Sequence, residues 1–244
     1  MNKRVWSMTA AALALAVAGC GAEADTPVMD EASTQPAAGA PTPAPADRQE
    51  VSGPARRILA FGDSLFAGYG IGVENSYPAL LEDALRDRGI NAVITNAAVS
   101  GETSGAGRQR LAFVLDGQEN APDLVLLELG GNDMLRGLAP EETRANFDAM
   151  LGELTGRGIP VLLMGMRAPP NYGPEYQRAF DGIYTEMAEK YDVALVPFWL
   201  ESIYRNPGLF QDDRIHPTRE GIAALVGDTV DEVEAALPPA ASEE

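Results

Sequence analysis

A serine at the end of an apolar run and a single histidine far along the chain are residue types that acyl transfer uses. The serine is Ser64, in Ile58-Leu59-Ala60-Phe61-Gly62-Asp63-Ser64-Leu65. The run reads as a buried strand ending at Phe61, with Gly62 permitting a sharp bend and Ser64 standing where a helix can begin. A hydroxyl there lies at the carboxyl edge of a sheet, where open α/β sheets place their ligands. Serine alone is a poor nucleophile and needs a base and oxyanion donors within reach. His216 is the only histidine in the chain, so any imidazole base must be His216. Two acids precede it, Asp212 and Asp213. At a spacing of three on a helical turn, Asp213 and His216 face the same side, so one short loop could deliver both.

The elements that would position these groups follow in order. Residues 76–88 form a helix, opened by Ser76-Tyr77-Pro78 and stopped by Gly89. Ala92-Val93-Ile94-Thr95 is a second strand. Residues 101–107 are a loop or helix start, leading into a helix that carries Leu111, Val114 and Leu115. The nearly continuous apolar run 123–129 marks a strand covered on both faces. A helix over 140–157, a strand over 159–166, a helix over 175–191, a strand over 193–198 and a last helix over 218–237 complete the alternation. That alternation predicts an α/β domain, with a parallel sheet flanked by helices on both sides.

Composition narrows the classes. The chain has 244 residues, 45% of them hydrophobic, enough for one well-buried domain with extra segments at its ends. A formal net charge of -18 argues against nucleic acid as a partner. Cys20 is the only cysteine, which excludes an internal disulfide and a cysteine-based zinc site.

Four short segments fall just after strands: Gly62-Asp63-Ser64-Leu65, Ser100-Gly101-Glu102-Thr103, Gly130-Gly131-Asn132-Asp133 and Asp213-Arg214-Ile215-His216. Singly, each has a plain structural reading. Ser64 would be a helix cap, Gly101 a turn glycine, the third segment a strand-to-helix turn and His216-Pro217 a helix entry. Together, in this order, they resemble the four blocks of the GDSL, or SGNH, hydrolase superfamily. The resemblance spans about residues 57–236 and implies a three-layer α/β/α domain with a five-stranded parallel sheet, flavodoxin-like in order. It implies Ser64 as nucleophile, His216 as general base and acid, and Asp213, by the family's Asp-x-x-His spacing, as the residue that orients the ring. It also implies the N–H groups of Ser64 and Gly101 and the amide of Asn132 as oxyanion donors. Asp63 is then support beneath the serine turn, and Asp133 a brace for the third block. No cofactor or metal is implied.

Further segments narrow the resemblance. Ala67-Gly68-Tyr69-Gly70, Asn96-Ala97-Ala98-Val99, Leu127-Glu128-Leu129, Arg136-Gly137 and Met166-Arg167-Ala168-Pro169-Pro170-Asn171-Tyr172-Gly173 look like the arylesterase, acyl-CoA thioesterase I and lysophospholipase L1 branch. The branch implies a serine esterase on short to medium acyl esters or thioesters, acting through an acyl-enzyme on Ser64. Met134, Leu135 and Leu138 either line an acyl channel beside Asn132 or form the core face of the next helix. Arg136 and Arg167 are isolated, with no basic cluster for a large anionic substrate. The alternatives are a carbohydrate O-acetylesterase and a non-catalytic lipoprotein binding module.

The front of the chain reads as targeting. Lys3 and Arg4 precede an apolar run over 8–18, shorter than the roughly 20 residues that span a bilayer. Val17-Ala18-Gly19-Cys20 resembles the lipobox of bacterial lipoproteins. That implies a signal peptide over 1–19, a lipidated Cys20 and a membrane anchor. With Gly21 rather than an aspartate next, it implies the periplasmic face of an outer membrane; an ordinary signal peptide and a soluble periplasmic protein are the alternative. Residues 20–53 are rich in Ala and Pro and read as a disordered tether, ahead of a hydrolase domain over 54–237 and a frayed tail over 238–244.

Overall fold

The structure is a computed structural model and describes residues 50–239. The signal segment, Cys20, nearly all of the tether and the last residues of the tail lie outside the described residues.

Five strands form one parallel sheet in the order β2-β1-β3-β4-β5: β1 (Arg56–Phe61), β2 (Ala92–Asn96), β3 (Leu124–Leu127), β4 (Val161–Met164) and β5 (Ala194–Val196). All four pairings are parallel, with Ile58 opposite both Ile94 and Leu124. Leu124–Leu127 and Val161–Met164 are buried at every position, as strands covered on both faces must be. The edge strand β2 instead leaves alternate residues exposed.

The helices are α1 (Ser64–Ala67), α2 (Tyr77–Asp87), α3 (Ser104–Asp116), α4 (Gly131–Leu135), α5 (Pro140–Gly156), α6 (Pro174–Tyr191) and α7 (Arg219–Ala236). Helices α2 and α7 pack together on one face of the sheet, and α3, α5 and α6 on the other. This is the expected three-layer α/β/α arrangement with a flavodoxin-like strand order. Local chemistry starts the helices: the hydroxyls of Ser76, Thr103 and Thr218 accept N–H groups of the first turns of α2, α3 and α7. Strands β4 and β5 are shorter than the apolar runs that encode them. The surplus residues Phe198, Trp199 and Leu200 leave the sheet in turns and return to the core.

Those surplus residues matter to the site. The ring of Phe66, on α1, stacks on Tyr77 at 5.1 Å and meets Trp199 edge-on at 5.4 Å, and Tyr77 meets Trp199 at 5.0 Å. All three rings are fully buried. The cluster fixes the single turn α1, and with it the serine, to α2 and to the segment after β5; each such pair contributes roughly 0.5–1.5 kcal/mol beyond burial. Among the described residues no helix is long and apolar enough to cross a membrane.

Candidate active site

Three neighbouring strands, β2, β1 and β3, deliver Gly101, Ser64 and Asn132 to the same sheet edge, at the point where the strand order reverses. Gly62, between Phe61 and the serine turn, keeps an ordinary φ, so left-handed freedom is not what selects glycine there. Space is: a Cβ would lie 2.8 Å from the Glu128 carbonyl oxygen and 2.9 Å from Glu128 Oε2. Asp63 caps α1 by accepting the Leu65 N–H at 3.0 Å, and Ser64 is the first helical residue. The support role expected of Asp63 is thus a cap and, as described below, a tie to Asn132.

His216 arrives from the other side, on a loop between β5 and α7. The loop is closed by the Gln211 N–H to the His216 carbonyl at 2.8 Å and by a bridge between Phe210 and Pro217. Inside it, Asp213 Oδ1 accepts the N–H of Ile215 at 2.9 Å and of His216 at 3.0 Å. Its Oδ2 lies 2.7 Å from His216 Nδ1, and His216 Nε2 lies 2.8 Å from the Ser64 hydroxyl. The contact to the ring comes from Asp213, as the Asp-x-x-His spacing implies, and Asp212 is exposed. Burial pushes the Asp213 carboxyl up, but the N–H groups it accepts and the ring beside it outweigh burial and hold it below its usual value. An ionised Asp213 keeps the proton on Nδ1, which turns the Nε2 lone pair toward Ser64.

Gly101 has a φ of +78°, open to glycine at little cost. Among the described residues nothing accepts the N–H of Gly101 or of Ser64. Asn132, on α4, donates from Nδ2 to Asp63 Oδ2 at 2.8 Å and keeps a second amide hydrogen. The second and third blocks are tied twice. Arg136 donates to the Gly101 carbonyl at 2.8 Å. Asp133 accepts the Ser104 N–H at 2.7 Å, the Ser104 hydroxyl and the Thr143 hydroxyl. Asp133 therefore braces the third block and starts α3. Arg136, read from sequence as isolated, is spent on Gly101, and Arg167 pairs with Glu201 at 2.9 Å over the Phe198 ring.

Ser64, Gly101, Asn132 and His216 open onto one cavity of about 450 Å³. Leu65, Met134, Met166, Phe198, Leu200 and Phe210 are among its apolar wall residues. Of the three candidates for an acyl channel, Met134 and Leu135 line it; Leu138 does not, and its carbonyl accepts the Tyr176 hydroxyl.

Three further residues touch this machinery; of them only Glu128, an acid inside an apolar run, left a mark in the sequence. Tyr69 lies against the His216 ring with centroids 4.2 Å apart. Gln211 donates to the carbonyls of Tyr69 and Pro217 at 2.8 and 2.9 Å, sewing the histidine loop to the turn after α1. Glu128, wholly buried, approaches Asp63: its Oε2 accepts the Asp63 N–H at 3.2 Å. Burial pushes Asp63 up to about 6, against the Leu65 N–H, the Glu128 carboxyl and the Asn132 amide, which favour its anion.

Comparison with known proteins returns the same chemistry. The model of the GDSL-like Lipase/Acylhydrolase family matches residues 60–224, which include Ser64, Gly101, Asn132, Asp213 and His216. The chain is 43% identical over 164 residues to an arylesterase of Vibrio mimicus, covering 67% of this chain and 81% of that protein. It is 41% identical over 163 residues to the thioesterase 1/protease 1/lysophospholipase L1 of Escherichia coli K12, covering 67% and 76%. Among solved structures, the esterase AlinE4, of the SGNH-hydrolase family, is 59% identical with a TM-score of 0.65, covering 77% of this chain and 99% of that one.

Proposed function

The chain belongs to the GDSL-like lipase/acylhydrolase family, and from that premise we propose a role for each residue of the site. The protein is a serine hydrolase of the esterase and thioesterase type, and its substrates are acyl esters or thioesters. Ser64 Oγ attacks the acyl carbonyl while His216 Nε2 takes its proton. The tetrahedral oxyanion is held by the N–H groups of Ser64 and Gly101 and by the Asn132 amide. Collapse returns the proton from Nε2 to the departing alcohol or thiol and leaves the acyl group on Ser64. Water, deprotonated by the same nitrogen, then attacks the acyl-enzyme and frees the acid and the serine. Asp213 holds the tautomer and balances the imidazolium. The observation that carries this reading is the continuous chain from Asp213 through His216 to Ser64, with contacts of 2.7 and 2.8 Å.

The substrate follows from the cavity. An acetyl group would leave most of an apolar space of about 450 Å³ unfilled, whereas a medium acyl chain buries its methylenes against Met134, Met166 and Leu200. Aryl, lipid-like and lysophospholipid esters of medium chain length are therefore preferred over acetylated sugars. Hydrolysis of p-nitrophenyl acetate, butyrate, octanoate and laurate tests this, with kcat/KM expected to peak above acetate. A peak at acetate, together with faster deacetylation of sugars, would favour the O-acetylesterase reading instead.

The same proposal extends to location. Lys3, Arg4, the apolar run and Val17-Ala18-Gly19-Cys20 support cleavage before Cys20, lipidation there, and anchoring on the periplasmic face of an outer membrane. Cys20→Ala should move the protein to the soluble fraction after a salt wash. Retention in the membrane would contradict lipidation.

A further inference from the structure

Glu128 is a carboxylic acid placed inside an apolar run, between Leu127 and Leu129, and it follows directly on β3. Its exposure is 0%, as close to zero as that of its neighbours. The backbone there is committed, because the Glu128 N–H donates to the Phe61 carbonyl at 2.9 Å. Its carboxyl is therefore fixed beneath the serine turn, where Oε2 accepts the Asp63 N–H at 3.2 Å and so lies beside a second acid, Asp63, itself 1% exposed. Among the described residues no lysine or arginine acts on either group, and His216 is the one cation-forming residue there that acts on Asp63. Two buried acids this close, with no neutralising cation beside them, cannot both ionise, so the pair keeps a proton.

Hydrogen-bond supply says which carboxyl holds it. Asp63 receives the Leu65 N–H at 3.0 Å and the Asn132 amide at 2.8 Å, both donors that favour an anion. Glu128 receives one N–H, from Asp63, and its Oε1 has no partner among the described residues. An unpartnered oxygen costs far less on a neutral acid than on a carboxylate. Burial and the adjacent Asp63 charge push Glu128 well above its ordinary value, in agreement with that count.

The consequence reaches Asn132. An ionised Asp63 can only accept, so the Asn132 side chain must turn its NH₂ toward it, leaving the second amide hydrogen for the oxyanion. A protonated Asp63 could instead donate to the Asn132 oxygen and turn the amide over. We propose that Glu128 is a positioning residue that keeps the shared proton on itself, donates it in a hydrogen bond to Asp63, and so fixes the donor orientation of the Asn132 amide. This rests on the reading of Asn132 as an oxyanion donor. It also accounts for Gly62, since only a residue without Cβ leaves room for the Glu128 carboxyl and carbonyl.

A double-mutant cycle with a p-nitrophenyl ester tests the inference. Glu128→Gln keeps a neutral donor and an acceptor in the same shape, so kcat should stay within about threefold of the parent, with the lost proton replaced by an amide hydrogen. Glu128→Leu keeps bulk but no donor, and kcat should fall by roughly 10²-fold with KM nearly unchanged, the scale of a lost oxyanion donor. In an Asn132→Ala background the same Glu128→Leu change should cost little further, because the group it acts through is gone. An equal loss from Glu128→Leu in both backgrounds, or a loss of about tenfold or more in Glu128→Gln, would overturn the inference. If Asn132→Ala by itself left kcat unchanged, the oxyanion reading would fall first, and the inference with it. Should Glu128→Leu not fold, the Glu128→Gln result decides alone.

Discussion

Asp133 accepts both hydrogens that Ser104 offers, the N–H at 2.7 Å and the hydroxyl, and so joins the block that carries Asn132 to the helix that follows Gly101. The carboxyl is fully buried and also takes the Thr143 hydroxyl at 3.2 Å. Asp133→Ala would strand three buried donors, at a cost of roughly 3–5 kcal/mol by the usual scale for unmade buried hydrogen bonds. Urea unfolding should report that loss, and kcat of the remaining folded protein should fall as well. Arg136→Ala cuts only the exposed tie to Gly101, so kcat should drop a few-fold while stability changes by less than about 0.5 kcal/mol. Unchanged kcat in folded Asp133→Ala would show that the two blocks hold their places without this brace.

Asp213 and Asp212 are adjacent, yet Asp213 makes the contact to the His216 ring and Asp212 is exposed. Asp213→Asn offers an amide in place of the carboxylate and loses the control of tautomer, so kcat should fall by about 10⁴-fold. Asp212→Asn should stay within a few-fold of the parent. Steady-state kinetics on one ester separates the two. The reverse ranking would mean that the loop rearranges when substrate binds.

Burial raises Asp63 to about 6, whereas in an unfolded chain an aspartate titrates near about 4. Between those values the folded protein holds a proton that the unfolded chain has released, so the contribution of Asp63 to stability falls as pH rises through that window and is level above it. Asparagine carries no such charge. The stability of Asp63→Asn relative to the parent should therefore improve as pH rises from about 4 to about 6, by on the order of 2–3 kcal/mol on top of any constant offset. Denaturant unfolding at several pH values measures this. A difference that stays flat would place the titration of Asp63 elsewhere.

Much of this was legible in the residues because the signals are local or unique. His216 has no competitor in the chain, Asp213 reaches the ring from three residues away, and the buried strands around Leu126 and Leu162 are written as continuous apolar runs. The apolar runs predict longer fourth and fifth strands than the sheet holds: Phe198 is as apolar as a strand residue but turns to line the cavity, and Trp199 just after it packs against Phe66 and Tyr77. Gly62 was legible only as a residue that permits a bend, whereas what excludes a side chain there is Glu128, 66 residues further on. Tyr69 against His216 and Gln211 against Tyr69 are likewise joined only by the fold, and no period or spacing in the sequence announces them. An acid such as Glu128 inside a buried strand end breaks the apolar pattern, and that break was the one signal available for it.

A nucleophilic Ser64 activated by His216 reacts with a fluorophosphonate probe. The folded protein should take up one phosphonyl group, mapped by mass spectrometry to the peptide that carries Ser64, and Ser64→Ala should take up none. Labelling that persists in a folded Ser64→Ala protein, or a parent protein that resists the probe while hydrolysing esters, would rule out Ser64 as the nucleophile.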